Sequence, residues 1–244
     1  MADFFSQAFQ SPLASVPLDS LLKFTPLAPR LQHHVAKVYV TLAMALGFCG
    51  LGATVLVLPS FLALLGALGC SIALALTPAN PQNLTKRYGY VAGFAVSQGS
   101  LIAPLLELAN IVDPSIVITG ILCTAAIFAC FTISALTTPR RTYMFLGGYL
   151  ASATMGLLVI SLSRSFFPTS AAFGLELYLG LLVFAGYILF DTQVIVEKAA
   201  GGDSDHLKHA VLLLTDVINL FVRIVIILMK NQQKKEDDKK KQKK

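Results

Sequence analysis

Seven apolar stretches, each close to the length needed to cross a bilayer, leave this chain few folds to choose from. They run at about 38–58, 60–76, 88–109, 114–136, 143–162, 175–196 and 207–229. A helical span needs about 20 mostly apolar residues. Inside lipid every backbone polar group must be satisfied within the protein, and a run of this length does so as a helix. The second stretch is short and follows the first after Pro59 and Ser60, so those two form a tight hairpin. Pro104 should kink the third, because a proline ring removes a backbone donor and clashes one turn back.

Composition agrees with a membrane domain and excludes other classes. The 244 residues are 55% hydrophobic and 13% charged, with mean hydropathy +0.71; a soluble domain carries about 25% charged residues. The net charge of +6 is no nucleic-acid signature, because the basic residues sit in loops and in the tail, eight lysines falling within 230–244. Cys49, Cys70, Cys123 and Cys130 all lie in apolar stretches, where thiols are usually small core residues, and their spacing suggests neither zinc nor a disulfide framework. The first thirty residues hold Asp3 and Asp19 and lack a basic start followed by an apolar run, so no secretory signal is expected. Pro12, Pro17, Pro26 and Pro29 argue against a long regular helix there, and the stretch from Val38 would act as an uncleaved anchor. Small residues recur within the spans, and Gly89 and Gly93 have GxxxG spacing; such residues let helix backbones approach in lipid, although a lone GxxxG is a weak signal.

Orientation follows from lysine and arginine in the short loops. Lys23, Arg30 and Lys37 precede the first span, Lys86 and Arg87 follow the second, Arg140 and Arg141 the fourth, and Lys198 the sixth, while the opposite loops carry only Arg164. The N-terminus is therefore expected to be cytoplasmic. Seven full crossings would then put the lysine-rich tail on the far side, against the rule. The last segment either dips in and returns or spans despite its tail.

Two charges interrupt the last two spans. Asp191 breaks LYLGLLVFAGYILFDTQVIV and Asp216 breaks HAVLLLTDVINLFVRIVIIL. A carboxylate at mid-membrane costs on the order of 3 kcal/mol even on lenient insertion scales, and normally faces a protein interior or a wet cavity. The midpoint of 191 and 216 falls in the turn-forming run GGDSD, so the two aspartates lie at matched depth on a helical hairpin and can face each other. Each belongs to a polar stripe. His209, Asp216, Arg223 and Lys230 recur every seven residues on the last segment with Asn219 beside them, and Glu176, Gly180, Tyr187 and Asp191 share a face of the sixth.

Two carboxylates in contact cannot both ionise cheaply and tend to share one proton. A shared proton closes a latch; its loss leaves charges that repel or jointly bind a cation. Calcium takes several hard oxygen ligands, and the two aspartates with Asn219 and carbonyls or water would supply a loose, transient set suited to passage or weak sensing rather than tight storage. The site residues are therefore Asp191 and Asp216 for proton sensing, ion path and transient calcium, supported by Asn219, Arg223, Tyr187 and His209. No catalytic residue and no cofactor are expected, calcium being the permeant ion. A structural Asp216–Arg223 ion pair is the competing role, but about 10 Å of helix rise separates the two residues. Glu107 reads as interfacial, and His33, His34 and His206 as loop residues. His209 starts a helix, where it could tune a pH response or simply be solvated. The tail NQQKKEDDKKKQKK reads as disordered and solubilising, or as a surface for anionic lipid or acidic partners through Lys234, Lys235, Lys239, Lys240 and Lys241.

Three stretches carry a family resemblance: FTISALTTPRRTYMFLGG (131–148), GYILFDTQVIVEKA (186–199) and GDSDHLKHAVLLLTDVINLFVRIV (202–225). With QHHVAKVY (32–39) and GLGATV (50–55), they resemble the Bax inhibitor-1 family, also called the transmembrane Bax inhibitor motif family, over nearly the whole chain. The resemblance implies an all-α seven-helix bundle whose last helix is surrounded by the other six. It further implies an endoplasmic reticulum location, a pH-sensitive calcium leak and suppression of stress-induced cell death, with paired aspartates matching Asp191 and Asp216. Bacterial members carry an arginine on the second helix that can pair with an aspartate; 60–76 has no charge, so Asp216 is left as the latch for Asp191. The expected layout is a cytoplasmic arm (1–37), a polytopic domain (38–229) and a basic tail (230–244). Expected partners are membrane lipids and, through the tail, Bcl-2-type or calmodulin-like proteins; nucleic acid is not among them, and an oligomer is left open. The competing readings are a non-conducting scaffold for cell-death proteins and an intramembrane aspartyl protease. The protease is disfavoured because tyrosine before the first aspartate and a GxGD run at the second are replaced by FD and LLTD.

Overall fold

A computed structural model describes residues 28–139, 141–167 and 169–242; the proline-rich stretch of residues 1–27 lies outside them. Among the described residues all regular structure is helical. The order is α1 (Pro29–Thr54), α2 (Ser60–Leu76), a 3-10 turn (Pro81–Asn83), α3 (Leu84–Val112), α4 (Ser115–Thr137), α5 (Leu146–Phe166), α6 (Ser170–Ala200) and α7 (His206–Gln242). Six are long and apolar enough to cross a membrane, and α2 is a shorter apolar helix of 17 residues. The chain is thus a multi-pass membrane protein.

The helix ends have local causes. Proline disfavours helical backbone in the residue before it; Thr77, Asp113 and Thr138, ahead of Pro78, Pro114 and Pro139, are all extended. The α6–α7 turn has no proline and uses glycine instead. Gly201 donates its N–H to the Glu197 carbonyl, and Gly202 adopts φ +99°, a left-handed backbone open to glycine at little cost. Helix α1 starts well before the expected residue 38 because Pro29 sits in its first turn, where the missing N–H costs nothing. It stops short of residue 58 because Ser100 on α3 competes for its end. The Ser100 hydroxyl lies 3.1 and 3.0 Å from the carbonyls of Gly52 and Leu56, and accepts the Leu58 N–H at 3.2 Å. Helix α3 runs through Pro104 as one element.

Helix α7 is central. Its Leu207, Ala210, Leu213, Leu214, Leu220 and Val225 are completely enclosed. Four helices line it rather than the expected six: α1, α3, α4 and α6 pack on α7, while α2 packs on α3 and α5 on α6. Phe61, Leu76, Ile111, Tyr149 and Phe166 point outward, as an apolar solvent requires. Gly93 meets Cys70 on α2, whereas Gly89 is exposed with open space around it, so the GxxxG pair does not form one seam within the chain. Of the cysteines, Cys49 is buried, Cys70 half-buried, and Cys123 and Cys130 exposed on the outer surface; an apolar helix in lipid buries only the stripe facing its neighbours.

The last segment is not re-entrant. Helix α7 is continuous over 37 residues, about 55 Å at 1.5 Å per residue, and Gln232 near its far end donates to Asp113 in the α3–α4 turn at 3.2 Å. The basic stretch read as disordered continues the helix to Gln242. If α2 crosses together with the six longer helices, the seven passes put tags placed ahead of α1 and after α7 on opposite sides of sealed vesicles. Protease protection of both tags from the same side would contradict seven passes and leave α2 as the helix that does not cross.

Candidate ion site at the α6–α7 seam

The GGDSD turn sets the site. Asp191 and Asp216 each lie about 14 Å of helix rise from that turn, and their carboxyl groups come within hydrogen-bonding reach of each other. Both are buried, at 6% and 5% exposure. Two carboxylates this close need a proton between them or a cation, because repulsion at low dielectric is otherwise unopposed. Asp216 Oδ2 has no protein hydrogen-bond partner.

Other unsatisfied groups occupy the same interior. The Tyr39 hydroxyl (α1) interacts with those of Thr132 (α4) and Thr192 (α6), though none of the three makes a hydrogen bond of good geometry. Buried polar atoms are normally paired with protein, water or ions, and these hydroxyls make the interior around Asp191 polar. The residues of the FDTQ run divide the work. Asp191 faces Asp216, Thr192 joins the hydroxyls, and Gln193 clamps the α4–α5 loop by accepting the Tyr143 N–H at 2.7 Å and donating to the Pro139 carbonyl at 3.2 Å.

The supporting residues separate in space. Asn219 donates to the Thr215 carbonyl at 2.9 Å on its own helix. Arg223 does not pair with Asp216; it donates to the Asn219 carbonyl at 3.1 Å and stacks over Phe184, and the carboxylate acting on it is Glu176. Tyr187 is bonded through its hydroxyl to Thr154 of α5 at 3.0 Å. His209 is buried rather than solvated, with His34 Nε2 3.0 Å from its Nδ1. His33, His34 and His206 belong to helices, not loops, and His206 contacts the Tyr88 hydroxyl at 3.1 Å. Lys234 and Lys235 border a cleft of about 470 Å³ with Asp113 and Asp238. Lys239 and Lys240 are exposed, and the Lys241 side chain lies outside the described residues. Glu107 is exposed. Among the described residues no group of three or more His, Cys, Asp or Glu side chains gathers as a metal site.

One feature at the α6–α7 turn was missed in the sequence. Arg87, at the start of α3, forms a buried ion pair of 2.6 Å with Asp205. Asp205 also accepts the Lys208 N–H at 3.3 Å, capping α7. Burial alone would raise the Asp205 carboxyl, but hydrogen bonds from Arg87 and from the Lys208 backbone, with the charges of both residues, outweigh it and hold the group below the usual carboxylate range. An aspartate three residues before the Lys208 N–H was a visible capping signal; its partner at position 87 had no local signal.

Residues 31–233 match the family model described as "Inhibitor of apoptosis-promoting Bax1". The chain is 43% identical to Bax inhibitor 1 of Rattus norvegicus over 216 residues, 86% of this chain and 91% of that protein. It is 43% identical to Bax inhibitor 1 of Homo sapiens over 215 residues, with the same shares covered. Bax inhibitor 1 of Arabidopsis thaliana is 41% identical over 228 residues, 92% of each chain. With matches of that extent spanning the aspartate-bearing hairpin, this chain belongs to the Bax inhibitor-1 family.

Proposed function

We propose that this protein suppresses stress-induced cell death from the endoplasmic reticulum membrane as a pH-sensitive calcium leak, with Asp191 and Asp216 as its latch. It carries no catalytic role in this reading, and its N-terminus faces the cytoplasm, where the basic loops collect. The observation that carries the reading is the buried carboxyl pair of consecutive helices, with the buried hydroxyls of Tyr39, Thr132 and Thr192 in the same interior. The names of the relatives support the cell-death role. One shared proton holds α6 to α7. When it leaves, two negative charges push the helices apart and offer oxygen ligands to calcium, so flux rises with pH. If one proton governs the latch, the change reaches about tenfold per pH unit.

The test is calcium flux from liposomes holding the purified protein, followed from pH 6 to 8. Wild type should leak more as pH rises, and Asp216→Asn should flatten the profile to less than about a twofold change. A wild-type leak independent of pH, or one untouched by Asp216→Asn, would remove the latch. The charged extension of α7 beyond the bundle favours the scaffold reading as the second choice. Cell protection that survives loss of both aspartates but not truncation after Met229 would favour it over the leak.

A further inference from the structure

Below the aspartate pair a charged side chain of α7, Arg223, lies against α6 at Phe184 and Gly180. On α6, Asp191, Tyr187, Phe184 and Gly180 follow one another down a single face. Tyr187 is held by Thr154, and its ring lies 5.9 Å from that of Phe184. The Arg223 guanidinium rests 4.2 Å from the centre of the Phe184 ring, stacked over it. It can lie there only because residue 180 is glycine, since a Cβ at that position would overlap the Arg223 Nε. Arg223 is seven residues beyond Asp216 on the same α7 stripe, about 10 Å further along the axis. Beyond it toward the far face are Arg164, which is paired with Glu176, and Lys230, whose ammonium lies 5.7 Å from the Phe173 ring. Among the described residues, the cations Arg223, Arg164 and Lys230 thus stand with the carboxylate of Glu176 on the side of the bundle away from the GGDSD turn.

We propose that Arg223, seated in the slot left by Gly180 against Phe184, is the charge-selective barrier of this seam and restrains divalent cations more than monovalent ones. The inference rests on the reading of the seam as an ion path. Its physical basis is that a fixed positive charge repels a cation in proportion to the cation's own charge, most strongly in a narrow site with low-dielectric walls. If neutralising Arg223 raises potassium flux by some factor, calcium flux should rise by its square. A staple that only joins α6 to α7 would not produce that ratio.

The experiment compares potassium and calcium flux in liposomes at one pH for wild type, Arg223→Gln, Arg223→Lys and Gly180→Ala, each checked for a monodisperse elution profile. Arg223→Gln is expected to raise potassium flux on the order of fourfold and calcium flux on the order of sixteenfold. Arg223→Lys keeps the charge but loses the planar stack on Phe184, so it should fall between wild type and Arg223→Gln in both fluxes while keeping the larger factor for calcium. Gly180→Ala retains every atom of Arg223 but expels it from the slot, and should raise calcium flux more than potassium flux; it also serves if Arg223→Gln does not fold. Equal factors for the two ions, or no change in either, would overturn the barrier. If wild type leaks with the expected pH dependence and Arg223→Gln matches it, this inference alone fails. If wild type is silent but Arg223→Gln conducts selectively, the barrier stands and the resting leak falls. Silence in all variants removes both.

Discussion

Replacing Arg87 with alanine is expected to cost about 3–5 kcal/mol of stability, because it strands a buried carboxylate rather than merely deleting a contact. The pair is almost fully enclosed, at 3% and 8% side-chain exposure, so solvent cannot take over the lost partner. Asp205 meanwhile remains tied to the first turn of α7 through Lys208. The result should appear as a fall of roughly 10 °C in the midpoint of heat-induced loss of the monodisperse peak in detergent. Asp205→Ala should do as much, since it removes the cap and leaves Arg87 unpaired. The double replacement should cost clearly less than the sum of the two. The pH dependence has a definite sign. The folded Asp205 carboxyl titrates below its ordinary value of about 4, so its contribution is complete above that value and fades as pH falls through the depressed one. Wild type should therefore lose stability to Arg87→Ala levels in strong acid. A variant as stable as wild type at neutral pH would show that the pair is not what fastens α3 to the α6–α7 turn.

Gly99→Ala is the second large effect, expected at about 3 kcal/mol or more, the upper end for overpacking. Helices α1 and α3 make the most extensive helix contact of the bundle. They cross with Gly52 against the Val96 carbonyl and Gly99 against the Cys49 carbonyl, where an added Cβ on either glycine would overlap backbone atoms. A flexible side chain could swing aside; a carbonyl inside a helix cannot. Parting the helices would also stretch the Ser100 bonds that end α1. Gly47→Ala, on the partner helix α1 but with open space around it, is the control and should leave the melting midpoint within about 2 °C. Equal midpoints for the two variants would mean that the close crossing does not govern the packing.

These two sites show where sequence reasoning stopped. The apolar stretches, the GGDSD turn and the matched depth of Asp191 and Asp216 were legible because each depends on local spacing: helix rise, period and turn chemistry. The helix ends were less so. Pro29 could be read as an obstacle to a helix or as its first residue, and Ser100 ends α1 from a different helix. Histidines at 34 and 209 gave no sign of meeting, since 175 positions separate them. The Asp216–Arg223 spacing invited an ion pair, but the guanidinium turned instead to Phe184 and the space above Gly180.

By itself the sequence determined that the chain is an all-helical membrane protein with two carboxylates at one depth on its last hairpin, because lipid forces helices and helices impose a fixed rise and period. Only the tertiary structure decided that four helices rather than six enclose α7, and that α7 runs straight through to meet Asp113. The same holds for Arg87 with Asp205 and for Arg223 in a slot beside Phe184. Those outcomes depend on which faces of distant helices meet, and that depends on where a missing Cβ allows two backbones to close.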